Sequence, residues 1–171
     1  MSKPMERNRS AEALAVCDPV WDRLRIETAD MAQSEAALAS FLHVTVLHHK
    51  KFEASLAYHL AQKIGNVEVR AMQLRELFDE ALSADPSIGE ARADIVAYYE
   101  RDPACHTYAQ PLLFFKGYSA LQVYRVAHWL WAHDRKPMAL YLQSRVSELF
   151  SVDIHPAAQI GEGVFIDHAH G

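Results

Sequence analysis

From Asp18 to about Phe150 apolar residues recur at helical spacing, and after Ser151 the period changes to six. Asp18-Pro19 opens the first helix, since aspartate accepts from free amides and proline suits the first helical position. Trp21, Leu24 and Ile26 begin its apolar stripe, and Ser34 restarts a helix with Leu38, Phe41, Leu42 and Thr45 on one face. Phe52, Leu56 and Leu60 fall at i, i+4 and i+8 of a third helix, which Gly65-Asn66 ends. Met72, Leu74, Leu77, Phe78 and Leu82 predict a helix over 69–84. Asp85-Pro86 starts another over 88–101, and Asp102-Pro103 follows it. Residues 103–111 read as a loop, 112–133 as a strongly apolar helix, 134–137 as a turn, and 138–150 as a last helix with Leu142, Val146 and Leu149 on one face.

The closing stretch reads IHPAAQ, IGEGVF, IDHAHG, with Ile154, Ile160 and Ile166 opening the three units. A hexapeptide period with an aliphatic opener is the signature of a parallel β-helix, in which three short strands and turns make one triangular coil. The predicted fold is therefore mainly α: a tail over 1–17, an α-helical domain over 18–150, and the first coil of a β-helix over 151–171.

Composition narrows the classes. Of 171 residues, 50% are hydrophobic and 23% charged, an ordinary balance for a globular core. A net charge of −5 without a run of Lys or Arg argues against nucleic acid or an anionic membrane as main partner. Lys116, Gln122, Arg125 and His128 interrupt the most apolar stretch, 111–131, and argue against a membrane span. Two cysteines, Cys17 and Cys105, without CxxC spacing, and a polar N-terminus without an apolar signal region, point to a reduced, cytoplasmic chain.

Several groups could carry chemistry. Asp153 and His168 stand fifteen residues apart, close to the eighteen of one coil. A carboxylate accepting from one imidazole nitrogen raises the basicity of the other, which suits removal of a hydroxyl proton. A capped turn beside an exposed histidine explains the same residues. His155, His168 and His170 with Asp167 offer zinc-type ligands, but i, i+2 histidines on a strand share a face only if both point outward, so no metal site is assigned. Asp102, like Asp18 and Asp85, precedes proline and reads as a cap or turn. Phe114, Phe115, Tyr118, Tyr124, Trp129 and Trp131 read as core or subunit interface.

The strings DPAC, PLLFFKGYSALQVYRVAHWLW and LQSRVSELFSVDIHPAAQIGEGVFIDHAHG closely resemble the serine O-acetyltransferases of cysteine biosynthesis. Upstream, ASFLHVTVLHH, SLAYHLAQKI and RELFDEALSADP agree with that family in order. The resemblance implies a helical domain followed by a left-handed β-helix, hexamers built as dimers of trimers, and acetyl transfer from acetyl-CoA to the L-serine hydroxyl. It implies His168 as general base, Asp153 as the carboxylate that orients it, and Asp102 and Asp167 as holders of the substrate serine. L-cysteine is implied as an inhibitor competing in the same pocket, and O-acetylserine sulfhydrylase as a partner bound through a C-terminal tail absent here. Acetyl-CoA is a co-substrate, with no permanently bound cofactor and no cofactor-binding residue within this chain. His170 stands where the family commonly has a small hydroxyl residue. Because the sequence stops at Gly171, a polypeptide of these residues is expected to have little transferase activity alone. Two other readings stay open: an oligomerisation module only, or another β-helix acyltransferase or zinc enzyme.

Overall fold

The computed structural model describes residues 17–84 and 87–169, except the side chain of Ser87. The expected tail over 1–17 (save Cys17), the Asp85-Pro86 start signal, and His170 with Gly171 lie outside the described residues. The architecture is helical: α1 (Pro19–Ser34), α2 (Ala39–Leu42), α3 (Phe52–Ile64), α4 (Ala71–Leu82), α5 (Ser87–Arg101), α6 (Ala109–Phe114), α7 (Lys116–Ala132) and α8 (Lys136–Phe150). Among the described residues none lies in a β-strand, so residues 151–169 are turns and irregular chain.

Asp18 caps α1 by accepting from the Trp21 amide at 3.1 Å, and its other oxygen receives Arg92 Nε at 3.0 Å, tying α1 to α5. The buried side of α1 is Trp21, Leu24 and Thr28, at i, i+3 and i+7. Ile26, expected in that stripe, is 64% exposed because it sits off this arc. Ser34 ends α1 rather than starting a helix. A 3₁₀ turn (Ala36–Leu38), α2 and a π-helical turn (His43–Leu47) follow. The π turn frees carbonyls that side chains then take: Ser55 Oγ donates to Thr45 O at 2.7 Å, and His49 Nε2 lies 3.1 Å from Val44 O.

Helix α3 packs on α4, and α7 on α8. The α4 face is Leu74, Leu77, Phe78, Ala81 and Leu82, while Met72, expected on it, lies outside at 73% exposure. The predicted loop 103–111 and helix 112–133 divide differently. Pro111 lies inside α6, and the chain breaks at Phe115, whose extended backbone (φ −93°, ψ 114°) separates α6 from α7. Every residue of α7 from Gly117 to Ala127 is buried, so this helix is the axis around which the others pack. Helix α8 ends at Ser151 in the left-handed conformation (φ 57°), which turns the chain back along α7 and α5.

Candidate functional site

Three residues on one side of α7, with others from α5, hold the segment 151–169. Asp94, fully buried on α5, receives Arg125 through both carboxylate oxygens at 2.9 Å, and Gln122 Nε2 at 2.8 Å. The same Asp94 accepts the Val164 amide at 2.9 Å, and Arg125 donates to Gly161 O at 2.9 Å. Glu90, on the same helix, is a second carboxylate on Arg125 and accepts from it at 3.0 Å. His128 Nδ1 lies 2.7 Å from Pro156 O, Tyr124 donates to Ala158 O, and Arg101 donates to Gly163 O at 2.8 Å. A segment without ladder bonds thus has several of its backbone groups bonded by helix side chains.

The Tyr98 hydroxyl accepts from Ile166 N at 3.1 Å and donates to Ile166 O at 3.0 Å. Desolvation pushes its pKa far above the ordinary phenol value, so it remains a donor. Gly117 faces this point. A Cβ there would stand 2.6 Å from Ile166 O and 2.8 Å from the Tyr98 oxygen, so only glycine lets α7 approach this closely.

These contacts frame a cavity of about 200 Å³, lined by Tyr98, Asp102, Phe115, Lys116, Ile166 and His168 among others. Asp102 follows the last residue of α5 and is 8% exposed. Its Oδ1 accepts from the Ala104 amide at 2.8 Å, the turn-stabilising bond expected of Asp before proline. Its Oδ2 has no hydrogen-bond partner among the described residues, so a carboxylate oxygen is left for a cationic ligand in a mostly apolar cavity. Asp167 and His168 are exposed, with His168 Nε2 3.7 Å from Asp167 Oδ1. His168 and Ala169 take left-handed backbone angles (φ 48° and 50°), which non-glycine residues hold only under constraint.

Asp102 and His168, distant in sequence, therefore share one cavity, whose lining does not include Asp167. Asp153 lines a different depression with Gln143, Ser144 and Ser147, where it accepts from Gln143 Nε2 at 2.7 Å. His155 stacks edge-on against Trp131, 4.9 Å between ring centres, and accepts from the Ala157 amide. Among the described residues no three metal-ligating groups converge. Asp94, Tyr98, Gly117 and Arg125 are residues that sequence reasoning missed. The available signal was Gln122, Arg125 and His128, three residues apart within an apolar helix and so on one side of it.

A family profile described as "Serine acetyltransferase, N-terminal" matches residues 20–123. The serine acetyltransferase of Haemophilus influenzae is 47% identical over 153 residues, covering 89% of this chain and 57% of its own length. Among solved structures, the Brucella abortus serine acetyltransferase in complex with coenzyme A superimposes with a TM-score of 0.87 at 42% identity, covering 91% of this chain and 62% of that one. The Neisseria gonorrhoeae serine acetyltransferase in complex with serine gives 0.79 at 47% identity, covering 82% and 58%. The chain thus spans about three fifths of the length of these relatives. With more than half of its residues inside the family profile, the chain belongs to the serine acetyltransferase family.

Proposed function

We propose that this chain supplies the helical platform and the general-base half of a serine O-acetyltransferase site, which makes O-acetylserine for L-cysteine biosynthesis. The observation that carries this reading is the meeting of Asp102 and His168 on one small cavity. A serine hydroxyl is a weak nucleophile at neutral pH. His168 removes its proton as the oxygen attacks the thioester carbonyl of acetyl-CoA, and the tetrahedral intermediate then collapses. The C–S bond breaks, and the imidazolium returns the proton to the departing thiolate. Transfer is direct. Cys105 is buried and desolvation raises its pKa, which disfavours the thiolate an acyl-enzyme would need. Asp102 and Asp167 hold the substrate ammonium, Asp102 through its free oxygen. Asp153 is assigned the carboxylate that tunes His168 on the resemblance alone, and L-cysteine competes for the serine subsite on the same basis.

In this reading residues 151–171 begin a left-handed β-helix, and residues 18–150 form the domain that pairs trimers into a hexamer. Parallel strands draw their ladder bonds from the next coil, so one coil alone has no partner to register as a strand. A C-terminal tail engages the sulfhydrylase, and the enzyme works in the cytoplasm. The test is thiol release from acetyl-CoA with L-serine, using protein expressed from the full reading frame that contains this chain. His168→Ala should lower kcat/KM about 10²- to 10⁴-fold, and a loss below about threefold rejects His168 as base.

A further inference from the structure

We propose that Tyr98 is a positioning residue for His168, acting through both backbone groups of Ile166. The proposal rests on the acetyltransferase reading for its kinetic consequence and on geometry alone for the positioning.

The hydroxyl bonds to Ile166 N–H and Ile166 C=O, which belong to the peptides on either side of one α-carbon. Holding both fixes the direction in which the chain leaves Ile166. The next two residues are Asp167 and His168. The phenol cannot drift, because its ring is 1% exposed and packs against Phe165 (5.1 Å between centres), Phe115 and Tyr118 (5.9 Å each). On the far side Gly117 closes the space with a bare backbone.

Tyr98 also lies one helical turn before Asp102, and the Asp102 amide donates to Tyr98 O at 3.0 Å. A single residue thus links the α5 end that carries Asp102 to the segment that carries His168. It sets the separation of the two groups across the cavity. The left-handed angles of His168 and Ala169 need such an anchor upstream, since strained backbone persists only where its surroundings over-determine it.

The prediction separates positioning from binding. In protein from the full reading frame, Tyr98→Phe keeps the ring and removes the clamp. Misplacing a base by about 1 Å costs up to about 10²-fold, so kcat should fall roughly 10- to 100-fold. KM for acetyl-CoA should stay within about twofold, because no contact to that substrate is removed. Gly117→Ala pushes on the same Ile166 carbonyl from α7 and should give the same split. This second variant decides the matter if Tyr98→Phe lowers the folded fraction.

A parallel measurement uses the 171-residue chain. Histidine-ring NMR should show His168 shifted in Tyr98→Phe while His43 and His133, far along the chain, stay in place. A kcat within about twofold of the parent in both variants overturns the proposal. So do unmoved His168 signals. If the parent itself shows no serine-dependent thiol release, the acetyltransferase reading fails, and the NMR comparison still decides the positioning.

Discussion

In the helical body, backbone groups bond within their own helices and the side chains are left to pack. Leu56, Leu60, Phe78 and Tyr118 are at most 1% exposed. In residues 151–169 the roles are exchanged. There the backbone is bonded by side chains from elsewhere: Asp94, Tyr98, Arg101, Tyr124, Arg125 and His128. The body is stabilised by apolar burial, which is non-directional and spread over many residues. The segment is placed by directional bonds concentrated in a few. The difference teaches where damage will show. A core substitution should lower global stability and leave the site geometry intact, whereas a polar substitution on α5 or α7 should release the segment.

The sharpest test pairs Phe78→Ala with Arg125→Met. Removing a buried phenylalanine costs about 3–5 kcal/mol in lost transfer energy and cavity. Removing Arg125 leaves Asp94 buried without its partner and costs a similar ~3–5 kcal/mol. Urea unfolding should give comparable losses. Amide exchange should divide them: Val164 should exchange faster than in the parent in Arg125→Met at low denaturant, but only with global unfolding in Phe78→Ala. Equal protection of Val164 in both variants would break the comparison.

A second test asks which region acid reaches first. His59, 4% exposed in the body, has its Nε2 without a hydrogen-bond partner among the described residues. Burial, aided by the charge of Lys63, lowers its pKa from 6.5 to about 4. Above pH 6.5 the ring is neutral in folded and unfolded chains alike. Between pH 6.5 and about 4 the unfolded chain takes up a proton that the folded chain refuses. Stability therefore falls with falling pH over that window, by up to about 3 kcal/mol. His59→Phe should flatten this slope in denaturation curves recorded stepwise from pH 7 to 4. An unchanged slope would place the acid-sensitive groups elsewhere and remove the body's share of the comparison.

The two regions were also unequally legible. Periodicity located the helices because a helix satisfies its own backbone and needs only an apolar face, so Leu74, Leu77, Phe78 and Leu82 announce α4. It misplaced Ile26 and Met72, since apolar identity alone does not say which arc a neighbour covers. It missed the break at Phe115, whose backbone is extended, and the close approach of Gly117 to Ile166 just after it, a contact 49 positions apart in the chain. For the site, Asp102 was visible only through family strings. Its local signal, Asp before Pro, is shared with Asp18 and Asp85. Arg125 and Gln122 were read as interruptions of an apolar helix. Their meaning depends on Asp94, a residue that nothing in its own neighbourhood distinguishes.

The smallest effect tests whether every side-chain bond to the segment matters equally. Arg101 reaches Gly163 O at 2.8 Å, but it is exposed, and water can replace its donor. Arg101→Ala should cost only about 0.5–1 kcal/mol, against the larger penalty when Tyr98→Phe removes the hydroxyl of a buried ring from two bonds to Ile166 at once. Local opening at residues 163–164 should rise by a factor of roughly 2–5, with global stability and the His168 ring signals unchanged. If Arg101→Ala instead displaced His168 as Tyr98→Phe does, the segment would be held by the number of its bonds. If it does not, the segment is held by the buried bonds alone, and the site's geometry is written mainly in Asp94, Tyr98 and Arg125.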